Sequence, residues 1–181
     1  MIKIVRKWFW AWEDDKEEQF LEKMAADGYK LNTVQLGKYT FVEDKPAKIK
    51  YQLDFKGLGR MKEDEYLQIF EDAGWECIDT LGSWYYFRKE YTDDEPDISI
   101  FSDNKSRLEK YWRIIAFLMI SGFPLYYNVL ILFPNLDSME FEFPGFYFFF
   151  RIIAVILLVI HSLAVIRIIF RILKDRNKIR E

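Results

Sequence analysis

The run WRIIAFLMISGFPLYYNVLILF, Trp112 to Phe133, carries no charge after Arg113. A helix rises about 1.5 Å per residue, so roughly 20 apolar residues cross the hydrocarbon core of a bilayer. A soluble helix of this length ordinarily keeps a polar stripe, and this run has none. Pro124 predicts a kink, which bilayer helices tolerate where neighbours satisfy the freed carbonyl. A second run, FYFFFRIIAVILLVIHSLAVIRIIF from Phe146 to Phe170, is interrupted by Arg151 and His161. Arg151 lies near one end, where its stem reaches the interface. His161 lies deeper and is expected to be neutral and packed between the helices. The rings of Phe146 to Phe150 form an aromatic band at head-group level. The reading is a transmembrane helical hairpin over residues 112–170.

Basic residues orient it. Lys105, Arg107, Lys110 and Arg113 precede the first span, and Arg167, Arg171, Lys174, Arg176, Lys178 and Arg180 follow or close the second. The loop from Pro134 to Gly145 has no basic residue and carries Asp137, Glu140 and Glu142. Both termini are therefore expected in the cytoplasm, with a multi-pass protein in the cell membrane and the lipid bilayer as its first partner. The basic tail, 171–181, suits anionic lipid. Nucleic acid is not expected as a partner, because positive charge is confined to the membrane flanks and the chain carries a net charge of -3. The N-terminal MIKIVRKW lacks the apolar stretch of a cleavable signal. The single Cys77 rules out an intramolecular disulfide and a cysteine zinc site, and is expected in a strand core.

Residues 1–90 read as a cytoplasmic α+β domain, and 91–111 as a linker and juxtamembrane helix. Residues 2 to 12 alternate as a strand, placing Ile2, Ile4, Trp8, Trp10 and Trp12 on one face. A helix over 14–27, capped by Asp14 or Asp15, carries Phe20, Leu21, Met24 and Ala25 as its apolar stripe and stops at Gly28. A hairpin over 29–35 and 38–43 turns at Gly37. The pattern recurs: a strand over 47–55, a helix over 63–73 ended by Gly74, and a hairpin over 75–81 and 83–90 turning at Gly82. An offset of 46 residues superposes the helix stops and the aromatic strand positions, which predicts a duplicated β-α-β-β domain: one antiparallel sheet with two helices on one face. If Tyr39, Phe41, Tyr85 and Phe87 meet the helices, Trp84 and Tyr86 point away. Trp8, Trp10, Trp12, Trp84 and Tyr86 then form an aromatic face that a flat or cationic ligand, a second copy of the chain, or the membrane interface could cover.

Lys7-Trp8-Phe9-Trp10, Leu21 with Met24-Ala25-Ala26 and Gly28-Tyr29, Tyr39-Thr40-Phe41, Tyr51-Gln52-Leu53-Asp54 and Ile100-Phe101-Ser102-Asp103 resemble the bacterial domain-of-unknown-function family 2812. The resemblance implies a cytoplasmic domain followed by membrane helices, a regulatory role, and a PadR-like regulator as partner. It transfers no catalytic residue. The doubled layout is also similar to the gyrase-inhibitor-like effector-binding domains, a fold analogy that implies a ligand on the sheet face between repeats.

No Walker loop, dinucleotide fingerprint, serine elbow or HExxH is present. The only histidine lies in the apolar run, so no soluble Ser/His or Cys/His pair is available. The acidic clusters at Glu13 to Glu18 and Glu63 to Glu65 suit helix dipoles and solvation. The expectation is therefore a non-enzyme without cofactor or metal. It is a sensor or regulatory module binding a small molecule or partner protein on the aromatic face. The alternative is a structural or assembly protein forming a homodimer at the membrane.

Overall fold

The computed structural model describes residues 1–59, 61–92, 104–136 and 144–178, and divides into two units, Met1–Lys110 and Tyr111–Glu181. The expected linker, inter-helix loop and basic tail lie partly outside the described residues, at 93–103, 137–143 and 179–181.

In the first unit the order is β1 (Ile2–Arg6), α1 (Asp14–Ala26), β2 (Tyr29–Gln35), β3 (Lys38–Glu43), β4 (Ile49–Phe55), α2 (Glu63–Asp72), β5 (Glu76–Leu81) and β6 (Trp84–Glu90). Acidic residues fill the first turns of both helices, where they oppose the positive end of the dipole. Alternation of apolar and polar residues makes the strands. Gly37 and Gly82 close the two hairpins at φ of 66° and 61°, backbone that other residues resist.

The strands form two antiparallel three-stranded sheets, ordered β1-β3-β2 and β4-β6-β5, rather than the single sheet expected from the sequence. The reason lies at the edges. Both β2 and β5 carry a register shift, between Leu31 and Thr33 and between Cys77 and Asp79. Side chains then take the N–H groups of β2 that a continuous sheet would give to a neighbouring strand. Leu31 N–H donates to the Tyr51 hydroxyl at 3.1 Å, and Val34 N–H to Asp79 Oδ2 at 2.6 Å. Nor do both helices cover one face. Tyr86 joins the core around Leu21 and Met24 of α1, whereas its strand neighbours Tyr85 and Phe87 pack with Tyr66 and Phe70 of α2. Alternate residues of a strand point to opposite faces, so α1 and α2 lie against opposite faces of the second sheet.

The first strand is also shorter than its periodicity implies. Its partner β3 begins at Lys38, paired with Arg6, and the last bond is Lys7 N–H to Gly37 O at 3.1 Å. With no strand alongside, Trp8 to Trp12 leave the sheet. Ile2 and Ile4 face outward, at 68% and 56% exposure. Glu13, not an aspartate, occupies the N-cap of α1, and Asp14 is buried within the unit. The outer edge of β4 is covered at Leu53, whose N–H donates to Glu18 Oε1 at 2.9 Å and whose carbonyl accepts from Lys110 Nζ at 3.0 Å.

The helix α3 (Asn104–Tyr127) begins in the first unit and ends in the second. It is followed by a π-helical segment, Asn128–Leu132, by α4 (Phe133–Leu136) and by α5 (Pro144–Lys178). Two stretches, Leu108–Leu136 and Gly145–Arg176, are long and apolar enough to cross a membrane, and their most apolar parts are almost wholly unburied. Pro124 stays inside α3, and its carbonyl accepts from Asn128 Nδ2 at 2.7 Å where the π-helical segment starts. His161 packs between α3 and α5. Its Nε2 lies 3.1 Å from the Leu118 carbonyl, and Tyr126 Oη lies 2.7 Å from Ser162 Oγ. Gly122 makes the room, since a Cβ there would sit 2.5 Å from His161 Cε1.

Candidate functional site

The segment that leaves β1 folds back on itself before α1. Glu13 N–H donates to the Trp10 carbonyl at 2.8 Å, and Trp10 N–H to Glu13 Oε2 at 3.3 Å. Lys16 Nζ holds the other Glu13 oxygen at 2.6 Å, and that contact, with the Trp10 backbone, keeps the Glu13 carboxyl below the usual range. Phe9 turns inward, 5.7 Å from the Phe20 ring and 6.2 Å from the Tyr39 ring. Its neighbours turn outward: Trp8 and Trp10 are 53% and 46% exposed and meet edge to face at 5.6 Å.

This segment forms one wall of a cavity of about 390 Å³. The turns of the two hairpins, at Leu36-Gly37 and Leu81-Gly82, line it too, as do Trp84 and Tyr86 of β6. Four of the five aromatic residues singled out by the sequence, Trp8, Trp10, Trp84 and Tyr86, therefore line one cavity. Trp12 does not line it but stacks on Trp10, with the ring planes 1° apart and the centroids at 5.2 Å. Trp84 is braced from behind by Phe55 at 5.3 Å.

The acidic side of the cavity was not foreseen. Asp14 and Glu17 line it and are only 3% and 7% exposed. Sequence reasoning gave them to solvent and the helix dipole. The available signal was their spacing: positions 14, 17, 21, 24 and 25 make one stripe of α1, and all five are buried. Glu17 Oε1 accepts the hydroxyls of both Tyr39 and Tyr86 at 2.7 Å, so one carboxylate joins the two sheets. Burial raises the Glu17 carboxyl above its usual range, the two tyrosine donors pull it back in part, and the neighbouring Asp14 charge raises it further. Asp14 in turn forms a buried ion pair with Lys110. Next to that pair, burial pushes the Glu18 carboxyl up to about 7, while the Lys110 charge opposes the shift.

The cavity can hold an apolar or aromatic body between rings, against an anionic wall. Among the described residues no group of three His, Cys, Asp or Glu side chains could hold a metal ion. Cys77 sits in β5, half-buried, with its thiol pushed up to about 11 by burial.

A family model described as a protein of unknown function, DUF2812, matches residues 13–123. The chain belongs to that family. The DUF2812 match takes in Asp14, Glu17, Tyr39, Trp84 and Tyr86 but begins after Trp8 and Trp10, so only part of the cavity wall falls within it. No curated protein and no solved structure matches the chain.

Proposed function

We propose that the chain is a non-catalytic, membrane-anchored regulatory module whose cytoplasmic unit binds a small molecule in the aromatic cavity. The observation that carries the reading is the gathering of Trp8, Trp10, Trp84 and Tyr86, from both ends of the unit's sequence, around one space of about 390 Å³. That volume lies in the range of roughly 300–1,000 Å³ usual for small-molecule sites. The two apolar helices support lipid anchoring, and the basic flanks with an acidic inter-helix loop support both termini on the cytoplasmic side. The shared element order and the parallel strand orders, β1-β3-β2 and β4-β6-β5, support a duplicated β-α-β-β origin. A PadR-like regulator, the partner suggested by the family resemblance, would then read the occupied state.

Native mass spectrometry of the full chain, extracted from its own membranes, tests the reading. A co-purifying mass that is lost in Trp8→Ala, which removes a ring that is 53% exposed, with the melting temperature nearly unchanged, is the expected result. Bare protein in every preparation counts against it. The exposure of Trp8 and Trp10 favours a second reading, a homodimer through the same face. Under that reading Trp8→Ser with Trp10→Ser converts dimers to monomers in sedimentation.

A further inference from the structure

We infer, resting on the reading above, that the cavity takes a small organic monocation, an amine or quaternary ammonium on an apolar body, with its charge facing Glu17. The aromatic wall supplies the first argument. The faces of tryptophan and tyrosine rings carry negative quadrupole potential and attract cations within about 6 Å. Trp8, Trp10, Trp84 and Tyr86 present such rings to one space.

The balance of charge supplies the second. Of the two carboxylates lining the cavity, Asp14 is neutralised by Lys110. Glu17 forms no ion pair among the described residues, although it is only 7% exposed. Lys7, in the wall segment, lies over the rings of Phe9 and Phe20 instead, at 4.9 and 4.5 Å. Both hydrogen bonds to Glu17 enter Oε1, which leaves Oε2 for a guest. A carboxylate taken out of water without a counter-charge is unfavourable, and a cation beside it removes that penalty. One uncompensated carboxylate calls for one positive charge. A bare metal ion would find only two carboxylates, one already paired, in a space far larger than itself.

Three probes on one ring system separate this inference from the broader reading: (1-naphthylmethyl)trimethylammonium, 1-naphthalenemethanol and 2-naphthalenesulfonate. Each is titrated by calorimetry into the full chain in detergent micelles, against a detergent blank. The expected result is that the cation binds at least tenfold tighter than the alcohol, and that the sulfonate gives no heat above the blank. Glu17→Gln keeps an oxygen for the two tyrosine hydroxyls. It is expected to bring the cation to the alcohol's affinity in the same variant, with an unchanged circular-dichroism spectrum showing that the variant is folded. If alcohol and cation bind alike, or Glu17→Gln leaves the cation unaffected, the charge assignment is wrong and the small-molecule site stands. If none of the three binds, both fail.

Discussion

Lys110 is the described lysine most completely removed from water, and what it touches explains why it is tolerated there. Its ammonium group meets the Asp14 carboxylate and the Leu53 carbonyl. Removing one partner of a buried pair strands the other, at a typical cost of about 3–5 kcal/mol, whereas replacing both with apolar groups is often neutral. Lys110→Met should therefore lower the urea stability of the first unit by about that amount, followed through tryptophan fluorescence. Asp14→Leu combined with Lys110→Met should recover most of it. Recovery of nothing would show that the Leu53 carbonyl, rather than the charge pair, is what Lys110 serves. Glu18 gives a prediction of opposite character. Its carboxyl is raised from the usual 4.5 to about 7, so the folded state binds its proton more tightly than the unfolded chain. Stability from this group is complete below the unfolded value and is lost as pH rises through the folded one. Glu17, also raised, adds in the same direction. The melting temperature should fall between pH 5 and pH 8, and Glu18→Gln, which still accepts the Leu53 N–H, should flatten that fall. An unchanged slope would place the effect elsewhere. Of this, only the place of Asp14 and Glu17 in the buried stripe of α1 was legible in advance. Acidic residues in a first helical turn ordinarily face water, and the partner that buries Asp14 lies 96 residues away.

Elements, by contrast, were largely legible, because their signals are local. The hairpins at Gly37 and Gly82 and the helix stops at Gly28 and Gly74 occupy the positions the sequence predicts, and each of these glycines has positive φ. What escaped the sequence was the joining of elements. Two three-stranded sheets replace one because Tyr51 and Asp79 serve the β2 backbone, and neither side chain announces that role. The first strand ends at Arg6 because β3 has no more backbone to offer, although the alternation of Trp8, Trp10 and Trp12 continues as though it did. The glycines also permit a comparison. Gly82 has φ of 61° and nothing within 4 Å of a built Cβ, so Gly82→Ala carries only the left-handed backbone penalty, roughly 1–2 kcal/mol. Gly28 has φ of 86°, and a Cβ there would lie 2.9 Å from the carbonyl of Asp44, a residue held in place by its own N–H donating to the Gly28 carbonyl at 2.9 Å. Gly28→Ala should therefore lower the urea midpoint clearly more than Gly82→Ala. Equal shifts would mean that the Asp44 loop yields at no cost.

The chain is a folded α+β unit followed by helices that, among the described residues, leave many large apolar side chains uncovered. Ile120, Phe123, Leu130 and Phe146 are each more than 60% exposed, and a continuous surface of that kind is stable only against lipid or another apolar partner. Two long helices with a single short connection fit a hairpin that returns to the side it left. We propose the cytoplasmic side for both termini, because basic residues flank the two helices while the loop between them is acidic. Cysteine labelling tests both statements in one chain. The native Cys77 gives little background, since burial holds its thiol at about 11 and hence protonated at neutral pH. A thiol introduced by Ser138→Cys, in the inter-helix loop, should react with an impermeant maleimide on intact cells. One introduced by Glu181→Cys should react only after the cells are opened. Labelling of Glu181→Cys on intact cells would reverse the orientation and place the aromatic cavity outside, where no cytoplasmic regulator could read it. Labelling of both would mean that the helices do not form a hairpin across the bilayer, and the apolar surface would then need a protein to cover it.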